Sequence, residues 1–149
     1  MSAKLPVSVL VVIHTAALDV LLLERAARPG FWQSVTGSLD RLDEPLAEAA
    51  RRELREETGI DAARLPLAPW HVANAFEIYP HWRHRFAPGT THNTEHVFGL
   101  RLAERVDIRL APAEHRAWRW LPWREAAQMC FSWSNRDAIR MLPARSAAA

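Results

Sequence analysis

The chain has 149 residues, 49% of them hydrophobic and 24% charged, close to the average for soluble globular proteins, which argues against both a disordered chain and a membrane protein. That length suits one domain with a real core and is short for two, so a single domain spanning residues 1–149 is expected. Nineteen basic residues against 17 acidic ones leave a formal charge of +2, a balance that does not by itself imply a nucleic-acid partner.

Taken in chain order, residues 6–14 and 19–25 are apolar runs rich in Val, Leu and Ile, separated by Thr15-Ala16-Ala17-Leu18, and read as two strands joined by a turn. The first run could pass for a short signal peptide. It moves directly into the second, however, so a first strand and a cytoplasmic protein are the expectation. Cys130 is the sole cysteine, which rules out an intrachain disulfide and fits a reducing compartment. "FWQSVTG", Phe31 to Gly37, is a third strand-like piece, and "SLDRLDEP" after it is a loop with Asp and Pro signals.

From about Pro45 to Thr58 the composition is Ala, Leu, Glu and Arg, which predicts a helix with Asp43 or Glu44 as its cap and Pro45 in its first turn. Gly59 supplies the stop. Strands follow at about 70–79, 95–102 and 115–121, with a loop around 80–93 carrying "HWRHRFAPGTTHN". Helices at about 122–130 and 134–142 precede an alanine-rich tail expected to fray. The order of elements predicts an α+β fold, a mixed sheet with helices packed against it.

The predicted helix carries the chemistry. In "RELREETGI", Arg52 to Ile60, Glu53 and Glu57 project within about 40° of each other at about 100° per residue, and Glu56 lies about 60° to the other side of Glu53. These acids border the buried stripe, whereas Arg51, Arg55 and Glu48 face the opposite side. Like charges four residues apart destabilise a helix, so Glu53 and Glu57 need compensation. A divalent cation would supply it, since Mg²⁺ is usually held by one or two carboxylates plus substrate phosphates. Arg52 can reach Glu48 or Glu56 four residues away and fix a carboxylate. On spacing alone, an Arg/Glu salt-bridge helix remains the alternative.

The same stretch resembles the second half of the Nudix box, in which Gly, five residues, Glu and seven residues precede Arg-Glu-apolar-x-Glu-Glu-x-Gly-apolar. Arg52, Glu53, Leu54, Glu56, Glu57, Gly59 and Ile60 match it, and seven residues separate Glu44 from Arg52. A chance match of the five invariant positions in a chain of this length is on the order of 10⁻⁴. One departure is a sixth residue between Gly37 and Glu44, so either the loop is longer by one or Asp43 takes the Glu position.

The resemblance implies the Nudix fold, a mixed β-sheet sandwiched between α-helices, and hydrolysis of a phosphoric anhydride by metal-activated water. It implies Mg²⁺, with Mn²⁺ as the alternative ion, held by Glu53, Glu57 and the Gly37 carbonyl, with Glu56 a further ligand or the base. "PVSVLVVIH", "FWQSVTGS", "HWRHRFAPG", "NTEH" and "FSWSNRDAI" resemble the bacterial subfamily that acts on dihydroneopterin triphosphate in folate synthesis, some of whose members are described as dATP pyrophosphohydrolases. By that resemblance Glu114 is a further metal ligand, with Glu95 its rival, and Lys4, Arg25, Thr36, His81 and Ser132 contact a small-molecule triphosphate. Neither a nucleic acid nor a membrane is an expected partner.

Either cation could instead be an ordinary surface charge, and "HWRHR" could bind RNA or merely decorate a loop. Trp118, Trp120 and Trp123 are expected in packing roles, and Trp32 and Trp133 nearer the pocket. The rival functions are a general nucleoside triphosphate pyrophosphohydrolase and a Nudix-fold binding module without catalysis. Phosphate-binding G-x-x-x-x-G-K-[ST] loops, G-x-S-x-G elbows and H-E-x-x-H helices are all missing from the sequence.

Overall fold

The computed structural model describes residues 3–147. Strands β1 (Val7–Thr15) and β2 (Asp19–Arg25) form the expected hairpin but pair only at its closed end, His14 with Val20. Beyond that point they splay. Two short strands fill the wedge, β3 (Trp32–Gln33) antiparallel on β2 and β4 (Val35–Ser38) antiparallel on β1. The one strand expected over Phe31–Gly37 is therefore broken at Ser34, where the Asn135 side-chain oxygen accepts the Ser34 backbone N–H at 2.7 Å and the Asn135 amide donates to the Ser34 hydroxyl at 2.9 Å.

On the other side of β1, strand β6 (His92–Leu102) runs parallel to it along its whole length, and β5 (Leu67–Glu77) lies antiparallel on β6. Strand β7 (His115–Pro122) pairs antiparallel with β2. These seven strands form one mixed sheet.

Both faces of the sheet are covered, which is why β1 is buried along nearly its full length. Alternate residues serve alternate layers. Val9, Val11 and Ile13 pack with Ala49, Ala50 and Leu54 of helix α1 (Leu46–Thr58). Leu10 and Val12 pack with residues of α2 (Trp123–Met129), α3 (Trp133–Arg140) and α4 (Leu142–Ala147), among them Ala126, Ile139 and Leu142. The α+β class and the helix/sheet/helix sandwich are as expected.

The ends of the elements differ in instructive ways. No side chain caps α1, whose N-cap position is Pro45; Glu44, one of the two expected caps, is committed to an arginine instead. Gly59 ends the helix at φ +77°, its N–H bonded to the Arg55 carbonyl at 3.0 Å. The first part of the expected 80–93 loop is a 3₁₀ helix, Pro80–Arg85. The alanine-rich tail continues as α4 because Leu142 is fully buried; its last two residues, 148–149, lie outside the described residues.

Leu54, with no exposed surface, is the residue that presses α1 onto β1. Leu54→Ala is expected to cost roughly 2–5 kcal/mol in chemical denaturation; a loss below about 1 kcal/mol would mean that the helix is held in place by other means.

Candidate active site

The site is organised by Arg52. Its guanidinium grips Glu44 in a fork, Nε to Oε2 and Nη2 to Oε1 both at 3.1 Å, and donates to Glu53 at 2.7 Å and to the Ser38 carbonyl at 3.1 Å. Asp40 lies 3.1 Å away and Glu56 3.6 Å. Of the two expected partners on the helix, Glu56 is therefore met, and no Arg52 ion pair with Glu48 occurs among the described residues. Glu44 also accepts the Asp40 backbone N–H at 2.8 Å, and the Arg52 hydrogen bond holds its carboxyl below the usual range.

This answers the question of the longer loop. Glu44, not Asp43, faces Arg52; Asp43 pairs outward with Arg41, and Leu42 between them is 74% exposed. The extra residue is spent in solvent, where insertion is cheap.

Helix α1 lays its two inner acids on the wedge strands. A Cβ on Gly37 would stand 2.0 Å from Glu53 Cδ, so a glycine is needed there to let the carboxylate lie against the backbone. Glu57 is 1% exposed. Burial raises the pKa of both, that of Glu57 well above the carboxylate range, with Glu53 and Glu114 adding to the Glu57 shift. Glu57, Glu114 and His115 place one ligand atom each within 4.8 Å of one another, and Glu57 Oε1 finds no hydrogen-bond partner among the described residues. His115, 3.8 Å from Glu57, has its pKa pushed to about 4, by burial first and then by Arg25, so its imidazole is neutral and free to act as a ligand or an acceptor. An orphaned buried carboxylate oxygen beside two more donors fits a hard divalent cation.

Cations face these acids. A register shift in the β2–β7 pairing falls between Glu24 and Arg25 and sets Arg25 opposite His115, the kind of irregularity that re-aims a side chain. Arg25 donates to Gln33 at 3.2 Å and lies over the Trp82 ring at 4.7 Å. Burial, then Arg85, lowers the pKa of both Arg25 and Lys4. Positive groups crowded and half-buried in this way are suited to an anionic ligand.

Two concavities meet here. An open cleft of about 1020 Å³ holds Glu53, Glu56, Glu57 and Glu114 together with Lys4 and Arg25. A deeper pocket of about 190 Å³ is walled by Phe76, Tyr79, Trp82 and Phe131. Lys4, Arg25, Gln33, Thr36 and Gly37 line both. The arrangement is a charged trough that opens into an aromatic slot.

Against known families, the NUDIX domain model matches residues 4–142. The chain belongs to the Nudix family. It is 47% identical over 139 residues to the dihydroneopterin triphosphate diphosphatase of Escherichia coli strain K12, covering 91% of each chain. It is 40% identical over 138 residues to the enzyme of the same name from Haemophilus influenzae, covering 89% of this chain and 84% of that one. The solved structure of the E. coli dihydroneopterin triphosphate pyrophosphohydrolase superposes with a TM-score of 0.89 at 44% identity, covering 95% of this chain and 97% of that one.

Within this Nudix chain, the expected site residues fall into two groups. Glu53, Glu56, Glu57, Gly37 and Glu114 line the cleft with Lys4, Arg25, Thr36 and His81; His81 stands beside Trp82 with ring centres 4.4 Å apart. Ser132 lines only the inner pocket, where its hydroxyl accepts the Asn135 backbone N–H at 3.3 Å and caps α3. Glu95, the rival to Glu114, belongs to that pocket and not to the cluster around Glu57.

Trp118 and Trp120 pack on the α1-side core and Trp123 on the other, as expected. Trp133 lines the pocket, but Trp32 packs on the α2-side core instead. Gln33, His115, Tyr79 and Phe131 were not legible as site residues. The available signals were membership, of Gln33 in "FWQSVTG" and of Phe131 in "FSWSNRDAI", and adjacency, of His115 to Glu114.

The buried acid pair sets a pH dependence whose sign follows from the raised pKa values. Such a group weakens folding as pH rises from its unfolded value through its folded one, because ionisation costs more in the fold. A cation binds the ionised form and reverses that cost. Glu57→Gln is therefore expected to melt at the same temperature as the wild type or higher in chelator. It should also lose most of the Mg²⁺-induced rise in Tm, a rise that in the wild type grows with pH. A Tm rise on adding Mg²⁺ that is equal in both proteins at every pH would remove Glu57 from the metal site.

Proposed function

We propose that the protein is a Mg²⁺-dependent, cytoplasmic pyrophosphohydrolase that converts dihydroneopterin triphosphate to its monophosphate and pyrophosphate. The observation that carries this reading is the junction of the two concavities. A trough holding acids and unneutralised cations opens at Lys4, Arg25, Thr36 and Gly37 into an aromatic slot. A triphosphate on a flat ring system has this division of charge. The likeness to enzymes named for that substrate supports it over nearly the whole chain.

The residues divide the work. Glu53, Glu57 and Glu114, with the Gly37 carbonyl, would hold Mg²⁺, which when bound neutralises phosphate charge and lowers the pKa of a water. Lys4 and Arg25 bind the phosphate oxygens, and Arg52 keeps Glu53 and Glu56 at fixed positions. Glu56, whose side chain is 56% exposed and lies 3.6 Å from Arg52, is the carboxylate that orients the attacking water. The water oxygen forms a bond to one phosphorus of the anhydride between the first and second phosphates, the bond from that phosphorus to the bridging oxygen breaks, and pterin monophosphate and pyrophosphate separate while the water's protons pass to Glu56 and solvent. Such chemistry asks the protein for position and charge only.

A general nucleotide hydrolase would use the same acids, so substrate comparison decides between them. Pyrophosphate release with Mg²⁺ from dihydroneopterin triphosphate and from dATP is expected to favour the pterin in kcat/KM by about a hundredfold. Equal or reversed values would make nucleotide hydrolysis the better description, and no release from either would leave a binding module.

Arg25→Ala is expected to raise KM for the triphosphate by about tenfold or more, from the loss of a charge-assisted contact. Unchanged KM and kcat would return Arg25 to the status of an ordinary cation.

A further inference from the structure

The inner pocket contains a polar wall that the hydrolytic chemistry does not use. Asn93 and Glu95 lie two residues apart on β6 and so share one face of the sheet, and Ser8 on β1 is the register partner of Glu95. This is the face turned towards α3, away from the α1 acids. All three are buried, Ser8 and Asn93 at 6% and Glu95 at 4% exposure, and Ser134 of α3 is 1% exposed. Each of Ser8, Asn93, Glu95 and Ser134 lines the pocket.

Two acceptor atoms there have no hydrogen-bond partner among the described residues, Asn93 Oδ1 and Glu95 Oε1, while the Ser134 hydroxyl is engaged with the Glu95 carboxyl. The Asn93 amide nitrogen donates to Ser8 at 2.7 Å, which leaves its oxygen as the free end. Asn135, by contrast, is fully engaged with Ser34 and belongs to the scaffold. Buried polar atoms without partners are costly, and the residues that carry these line a space of about 190 Å³ with aromatic walls. That is small for a ligand site and takes a ring rather than a whole nucleotide.

What the wall offers is mainly acceptors. A ligand that satisfies it must present a row of N–H donors. We infer that Glu95 is the specificity-determining residue of the ring pocket, its carboxylate and the Asn93 oxygen accepting the N–H groups of a 2-amino-4-oxo pyrimidine edge. That edge is common to pterins and guanine. Adenine lacks it, offering one amino donor beside a ring-nitrogen acceptor. The inference rests on the proposed triphosphate hydrolase reading and adds which ring the pocket selects.

Burial raises the Glu95 pKa to about 7, with a hydrogen bond from the Ser134 hydroxyl acting the other way. The charged and titratable groups that line the same pocket are Lys4, Arg25, Glu77, Tyr79 and Arg85; β1 and α3 contribute none, and burial outweighs all five. As a carboxylate, Glu95 presents two acceptors; protonated, it presents one donor and one acceptor, the complement of adenine. Selectivity for the donor-rich ring therefore rises with pH through neutrality.

Glu95→Gln tests this, because an amide fixes one donor and one acceptor at every pH. The measurement is kcat/KM with Mg²⁺ for dihydroneopterin triphosphate, dGTP and dATP at about pH 6 and about pH 8. Taking ratios between substrates on one protein cancels the titration of the shared acid cluster. At the higher pH the variant is expected to lose on the order of 10- to 100-fold for the pterin and guanine substrates and to gain for dATP. Its ratios should be flat with pH, whereas those of the wild type climb.

Equal losses for all three substrates, or wild-type ratios that do not move with pH, would overturn the inference and make Glu95 a packing residue. Binding of dihydroneopterin and adenosine, which carry no phosphate, is read alongside by calorimetry. If the wild type hydrolyses none of the triphosphates, the functional reading fails. The inference still stands or falls on whether Glu95→Gln weakens dihydroneopterin binding relative to adenosine.

Discussion

One arginine holds the site together. Arg52 sits on α1, yet its main contacts are with the segment before the helix: both Glu44 oxygens, the Ser38 carbonyl and Asp40. It therefore fastens the end of β4 to the flank of α1, and only then does Glu53 come to lie on Gly37. A forked guanidinium can satisfy a carboxylate, a carbonyl and a second carboxylate in one plane, whereas a lysine ammonium could not. This multiple attachment explains why a loop can gain a residue without disturbing the acids, since both ends of the loop are pinned to the same side chain.

What the clamp holds is an unfavourable arrangement. Two carboxylates buried side by side against a third are the opposite of what folding alone would select. Their raised pKa values express that cost. The nearby cations Lys4 and Arg25 stand in the same cleft without closing ion pairs to the acids among the described residues. Acids and cations held in one cleft without Lys4 or Arg25 pairing to those acids are a site prepared for an ion and an anion together, with core packing through Leu54, Ala49 and Ala50 carrying the energetic burden.

The sequence revealed local features well and distant ones poorly. The α1 acids, the Gly59 stop and the layering of the sheet were legible because each depends on residues a few positions apart. The break at Ser34 was not, because it is imposed by Asn135, 101 residues away. Glu44 was misread as a helix cap for a related reason: Arg52, eight residues further on, holds it with two charge-assisted bonds. Glu95 shows the limit most clearly. A glutamate near the start of a strand reads equally as a solvated end or as a metal ligand, and only the parity of β6 against β1 decides which face of the sheet it serves.

That parity has a consequence for how the protein can change. Neighbouring positions on one strand point to opposite layers, so the sheet separates an acid-bearing layer under α1 from a ring-reading layer under α3. The wedge strands, with Gln33, Thr36 and Gly37, form the passage between the two. A substitution at Glu95 or Asn93 acts on the face away from Glu53 and Glu57, and its effect reaches the phosphates only through where it sets the ring. In the proposed reading, chemistry and selectivity lie on opposite sides of one sheet, the acids on α1 and Glu95 on β6, so selectivity can vary while the clamp and its acids stay in place.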